Sequence, residues 1–162
     1  MIPPAAQALA EKLVAACRAK GLFVTTAESC TGGLVAGAIT AVAGSSEMFG
    51  QGFVTYSNAA KTALLGVPTG LLAAVGAVSE AVAARMAEEA RLRAGADLAV
   101  AVTGVAGPGG GSPDKPVGTV FFGLSTAGSR LTRQRRFAGD RAMIRAASVE
   151  FALNLLLGGV GA

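Results

Sequence analysis

Histidine is absent from this chain of 162 residues, and that absence removes more chemistry than any other feature of its composition. No Ser-His-Asp triad can form, and no Cys-His pair. The commonest nitrogen ligand for a metal is missing as well. Tryptophan is also absent and tyrosine occurs once, at Tyr56, so stacking platforms for single-stranded nucleic acid are scarce. The two cysteines, Cys17 and Cys30, make no disulfide framework. Cys17 reads as helix core, and a reduced, cytoplasmic setting fits best. No apolar run reaches the roughly 18–20 uncharged residues of a membrane span, so no membrane partner is expected. The opening "MIPPAAQALAEKL" lacks the charged-then-apolar order of a signal peptide. Metal binding has little support: Asp97, Asp114 and Asp140 are scattered, and no paired-cysteine motif occurs. Glu28 is better suited to a hydrogen bond within a site than to holding a cation alone. No metal and no cofactor is expected.

What is present is small and apolar. Hydrophobic residues make up 52% of the chain and charged residues 15%, which excludes a disordered chain. The length suits one domain with a real core. The 23 glycines show no collagen-like period, so they predict tight turns and close backbone approaches. The net charge is +4, and six arginines lie between Arg130 and Arg145. Such a cluster suits either a solvated strand edge and helix face, or an anionic partner.

The pattern predicts a helix from about Pro4 to Lys20, opened by proline and closed by Gly21. "LFVTTA" reads as a buried strand, followed by a small-residue helix from about Cys30 to Val42. "FGQGFVTYS" reads as a second strand broken by glycines. Asn58 is placed to cap a short helix ending at Gly66, and Ser79 to cap one running to about Ala94. "ADLAVAVTG" reads as a buried strand. "GTVFFGLST" and "SRLTRQRRFAG" read as a hairpin turning near Ala127–Gly128. Asp140 caps a last helix whose buried stripe is Met143, Ile144, Ala147, Phe151 and Leu155. The order predicts a single-domain three-layer α/β/α sandwich with a mixed sheet of about five strands. Small residues on exposed helix faces leave a homodimer as an expectation.

Ligand sites in open α/β sheets favour the carboxyl ends of strands. Three such ends carry polar residues: "TTAESCTGG", "VTYSNAAK" and "AVTGVAGPGGG". Ser29 has two readings. Either it caps the following helix, or it is a nucleophile with free N–H groups beside it. Without histidine a nucleophilic serine needs lysine, tyrosine or a carboxylate as base. Of the four lysines, Lys12 and Lys20 lie on the first helix and Lys115 in a loop. Lys61 falls in the first turn of its helix, where the dipole disfavours a cation and lowers the pKa. A neutral lysine is what a serine's general base requires. The alternative is an exposed lysine reaching water. Tyr56 can relay a proton, orient the lysine, stack on a ring, or simply anchor a strand end. The loop from Thr103 to Gly118 can cradle an anion, although it is neither a Walker A nor a dinucleotide fingerprint. Arg141, following Asp140 at a helix start, is placed for phosphate, or is a surface arginine.

Together "TAESCTGG", "GSSEMFGQGFVTYSNAAKTALLGV", "AVSEAVAARMAE", "AVTGVAGPGGGSPDKPVGTV" and "FAGDR" resemble the CinA C-terminal domain family. This is the C-terminal domain of competence-damage-inducible protein A, which also occurs alone as nicotinamide mononucleotide deamidase. The resemblance spans nearly the whole chain and implies one such amidohydrolase domain over residues 1–162. It implies a pyridine mononucleotide as small-molecule substrate, deamidated to nicotinate mononucleotide and ammonia in NAD recycling, without a metal. Ser29 matches the nucleophile and Lys61 the general base. Tyr56, Thr103 and Arg141 match positions associated with the site. Oxyanion donors are expected from the backbone of Cys30, Thr31, Gly32 and Gly33, or from the Thr103–Gly104 turn. Many relatives carry a larger N-terminal molybdopterin-binding-like domain, and a start at Met1 just before the first helix resembles the stand-alone enzyme. Two other classes stay open on residues alone. One is a nucleic-acid-binding module using the Arg130–Arg145 cluster, against which the sparse aromatics count. The other is a non-catalytic nucleotide-binding domain.

Overall fold

The computed structural model describes residues 2–161. Five strands form one sheet in the order β2-β1-β3-β4-β5. They are β1 (Val24–Glu28), β2 (Phe53–Val54), β3 (Leu98–Gly104), β4 (Thr119–Thr126) and β5 (Arg130–Arg136). β1 runs parallel to β2 and to β3, whereas β4 pairs antiparallel with β3 and with β5. The sheet is therefore mixed, as the change from helix-linked strands to a hairpin predicts. Among the described residues the six α-helices are α1 (Pro4–Lys20), α2 (Leu34–Thr40), α3 (Asn58–Leu65), α4 (Thr69–Val75), α5 (Glu80–Ala94) and α6 (Arg141–Val160).

Alternate side chains of a strand face opposite layers. Val24, Leu98, Val100, Val102, Val120 and Phe122 pack with α1, α2 and α6 in one core. Ala27, Ala99 and Ala101 pack with α3, α4 and α5 in the other. The second face is small by sequence, and α5 lies close on it. A Cβ at Gly123 of β4 would collide with the Ala83 carbonyl oxygen of α5.

Several boundaries differ from the sequence expectation, each for a local reason. α2 starts at Leu34 rather than Cys30, because Gly32 (φ 58°) and Gly33 (φ 99°) turn left-handed ahead of it. Ser57, not Asn58, caps α3: its backbone is extended and its hydroxyl accepts from Ala60 N–H at 3.0 Å. α4 was not expected; it is seven residues long, begins after Pro68 and carries a glycine, so its periodic signal is weak. Ser79 and Asp140 do cap α5 and α6. The buried face of α6 is Ile144, Ser148, Val149, Ala152, Leu153, Leu156, Leu157 and Val160, while Met143 is exposed. A helix apolar on most sides gives periodicity little with which to choose a face. By length and composition α6 could cross a membrane, which a count of uncharged residues misses because Arg145 and Glu150 interrupt it. Here its apolar stripe is covered by α1 and the sheet. The Phe151 ring packs against Phe122 of β4 in a tilted arrangement, with centroids 4.6 Å apart.

Gly123→Val should lower stability by about 1–3 kcal/mol, because added atoms must push α5 off the sheet. Thermal melting checks this; an unchanged Tm would mean that α5 does not approach β4 so closely.

Candidate active site

The ladder of β1 continues one residue past its end, where Ser29 N–H donates to Val102 O at 2.9 Å. Glu28 and Ser29 thus project toward opposite faces. The Glu28 carboxylate lies under α2, where its two oxygens accept from Val35 N–H at 2.9 Å and Ala36 N–H at 3.0 Å. These are orphan donors of the first helical turn, and an acid is favourable there. Gly33 at the N-cap supplies no side chain. Helix capping therefore falls to Glu28, and Ser29 does not cap.

On the opposite face, α3 delivers Lys61. Its Nζ lies 3.0 Å from Ser29 Oγ and donates to Thr55 O at 2.8 Å. Thr55 is itself fixed to β1, its N–H donating to Glu28 O at 2.8 Å. Lys61 is only 1% exposed. Both of its partners are uncharged oxygens. Burial lowers its pKa below the ordinary lysine value of 10.5, and the nearby Cys30 thiol acts weakly the other way. Burial also pushes the Cys30 thiol up to about 11, so Cys30 stays a thiol at neutral pH and is a poor nucleophile beside Ser29.

A cavity of about 280 Å³ opens at these strand ends, lined by Ser29, Cys30, Tyr56, Val78, Gly104 and Arg141 together with the loop after β3. Arg141 donates to Gly107 O at 2.8 Å and to Tyr56 Oη at 2.9 Å. Neither partner neutralises its charge. Arg145, one helical turn later, donates to Cys30 O at 3.0 Å and Thr31 O at 3.2 Å.

Of the residues expected from sequence, Ser29, Cys30, Tyr56, Gly104 and Arg141 share the cavity, with Lys61 against Ser29. Thr31, Gly32 and Gly33 form the turn into α2 and do not line it. Gly32 N–H is already committed to Ser29 O at 3.0 Å. Thr103 is buried and donates its hydroxyl hydrogen to Ala77 O at 2.9 Å. It ties β3 to the segment that carries Val78 into the cavity wall, rather than facing the cavity itself. Sequence reasoning passed over Thr55, whose part is played by a backbone carbonyl and leaves no trace in residue type. It also passed over Arg145 as an individual, although its spacing of four from Arg141 was a usable signal.

The arginine cluster does not form one surface. Arg130 pairs with Glu88 of α5 at 2.8 Å, while Arg135 lies 4.6 Å over the Phe151 ring of α6, on the other face of the sheet.

Fold and site together describe a three-layer α/β protein with a buried serine–lysine contact at its strand ends. The chain belongs to the CinA C-terminal domain family, whose model matches residues 6–159. It is 54% identical over 150 residues to a nicotinamide-nucleotide amidohydrolase PncC of Enterobacter agglomerans, covering 92% of each chain. It is 58% identical over 139 residues to a CinA-like protein of Geobacter sulfurreducens, covering 86% of this chain and 34% of that one. The chain thus spans about a third of that relative's length. The crystal structure of competence/damage inducible protein CihA from Agrobacterium tumefaciens superposes with a TM-score of 0.96 at 45% identity, covering 100% and 99% of the two chains.

Glu28→Ala should cost about 1–3 kcal/mol for each N–H it orphans at the start of α2, with Glu28→Gln costing less. Urea denaturation of the two variants would show this; equal stability to the parent would contradict the capping role.

Proposed function

We propose that this chain is a nicotinamide-nucleotide amidohydrolase that converts nicotinamide mononucleotide to nicotinate mononucleotide and ammonia, with Ser29 as nucleophile and Lys61 as its base. The observation that carries the reading is the buried contact of 3.0 Å between Lys61 Nζ and Ser29 Oγ. It occurs in a chain 54% identical to a relative named for that activity. A reduced, cytoplasmic setting fits the two free cysteines.

In the proposed cycle, neutral Lys61 takes the Ser29 hydroxyl proton as Oγ attacks the carboxamide carbon. The carbonyl oxygen becomes an oxyanion and needs backbone donors. The N–H of Cys30, a residue of the cavity wall, donates to no backbone carbonyl among the described residues and is the candidate. Protonated Lys61 returns its proton to the amide nitrogen, the C–N bond breaks and ammonia leaves. Lys61, neutral again, takes a proton from water as the water attacks the Ser29 ester. The ester C–O bond breaks, Ser29 regains its proton from Lys61, and nicotinate mononucleotide departs as its new carboxyl group loses its proton to solvent. The pyridinium ring of the substrate withdraws electrons from the carboxamide and makes its carbon more electrophilic. Arg141 and Tyr56, on the same cavity, are placed to receive the phosphate.

The nucleic-acid alternative draws no support from an arginine cluster divided between two faces. A non-catalytic nucleotide-binding domain would be protected against melting by nicotinamide mononucleotide yet release no ammonia.

Ser29→Ala and Lys61→Ala should each lower ammonia release by several orders of magnitude while melting as cooperatively as the parent. Full turnover by purified Ser29→Ala would sink the assignment. The pH dependence is a separate check. Burial disfavours the ammonium form, so the active neutral amine accumulates as pH rises through a lowered Lys61 pKa. The kcat/KM profile should therefore climb with pH and level off below the ordinary lysine value of 10.5. A limb at or above that value would contradict Lys61 as the base.

A further inference from the structure

We infer that Arg145 is a positioning residue for the reaction. It holds the turn after Ser29 so that the turn's free N–H groups, rather than its carbonyls, are available to the oxyanion. This inference rests on the reading of Ser29 as the acylated residue.

The argument begins with peptide planes. In a trans peptide the C=O and the N–H of one plane point opposite ways. Arg145 Nε fixes the carbonyl of Cys30 at 3.0 Å, and so turns Thr31 N–H away from the guanidinium. Its second nitrogen fixes the carbonyl of Thr31 at 3.2 Å and so orients Gly32 N–H. That N–H donates to Ser29 O at 3.0 Å. Ser29 O in turn sets the plane that carries Cys30 N–H. The Thr31 carbonyl also accepts from Leu34 N–H at 3.1 Å, so the fork acts together with the turn's own bonds to set the direction of three successive amide groups. Those of Cys30 and Thr31 donate to no backbone carbonyl among the described residues, and Cys30 is the one of the two that lines the cavity.

Arg145 has no carboxylate partner among the described ion pairs. It is half-buried, and its guanidinium lies against the turn: a Cβ at Gly32 would be 3.4 Å from it. A positive charge on both carbonyls polarises these peptide units and strengthens their N–H groups as donors. Arg145 does not line the cavity, whereas Arg141 does. Two arginines one turn apart on α6 therefore have different duties. Arg141 can meet the ligand in the ground state. Arg145 can act only through the turn, and its effect should appear where the oxyanion develops.

The test uses the purified full chain, nicotinamide mononucleotide and ammonia release. Arg145→Met should lower kcat by about 100-fold, the scale expected for a displaced donor set, while KM stays within about threefold of the parent. Arg141→Met should instead act mainly on KM. A lysine offers a point charge rather than a fork, so Arg145→Lys should restore only part of kcat. Methylguanidinium added to Arg145→Ala should restore kcat in a saturable way.

An Arg145→Met enzyme with parental kcat, alongside an inactive Ser29→Ala, overturns the positioning role and leaves the serine mechanism standing. A rise in KM alone overturns it also, and makes Arg145 a ligand contact. A parent protein that releases no ammonia overturns the mechanism on which both stand. Should Arg145→Met fail to fold, Arg145→Lys decides. With an unchanged Tm, a kcat at least about tenfold lower supports the inference and a parental kcat overturns it.

Discussion

A lysine amine held in the protein interior against a serine hydroxyl is the constraint around which the rest of this structure is arranged. Lys61 has given up water for two oxygens, Ser29 Oγ and Thr55 O, neither of which carries a charge. An ammonium there would have lost its hydration without a counter-ion, so burial favours the amine. Each neighbouring element keeps this arrangement from relaxing. Ser57 fixes the start of α3, and Thr55 is tied to β1 through Glu28 O. Ser29 N–H is held by Val102 O of β3.

Around the serine, charged side chains are spent on backbone groups rather than on one another. Glu28 takes the orphan N–H groups of α2, and Arg145 takes two carbonyls of the turn. The strand's alternation makes this possible: consecutive residues Glu28 and Ser29 serve opposite layers. A serine that had to cap α2 would have its oxygen engaged by a backbone N–H. With Glu28 in that position, the Ser29 hydroxyl faces Lys61 and the cavity only. The two left-handed glycines before α2 complete the device, since they delay the helix long enough for a turn to form.

Much of this was legible in the sequence, and the parts that were not share a cause. The layers, the mixed sheet, the caps at Ser79 and Asp140 and the closing glycine of α1 follow from periodicity and capping chemistry, which act over a few residues. The absence of histidine narrowed the bases for Ser29 and pointed toward Lys61, with an exposed lysine as the alternative, and the family resemblance supplied the assignment. What could not be read depends on backbone atoms meeting across the fold. Thr55 contributes a carbonyl, Arg145 grips two carbonyls from 115 and 114 positions away, and Thr103 turns its hydroxyl to Ala77 O instead of to the cavity. The early helix start assigned at Cys30 failed because small residues resemble helix until the glycines' φ angles are known.

The lowered pKa of Lys61 has a second consequence in the proposed reaction, whose substrate is the mononucleotide. That molecule is polar in a directed sense, with a cationic pyridinium at one end and an anionic phosphate at the other. An ammonium beside Ser29 would repel the ring at the point where its carboxamide must be attacked. A neutral amine does not, while in the proposed binding mode the Arg141 guanidinium at the cavity wall meets the phosphate. Arg145 lies outside the cavity lining and spends its charge on the Cys30 and Thr31 carbonyls. Thus, in the proposed cycle, the burial that favours Lys61 as base also gives the site a polarity that matches the ligand end for end. A surface lysine at the same distance from Ser29 would have neither property.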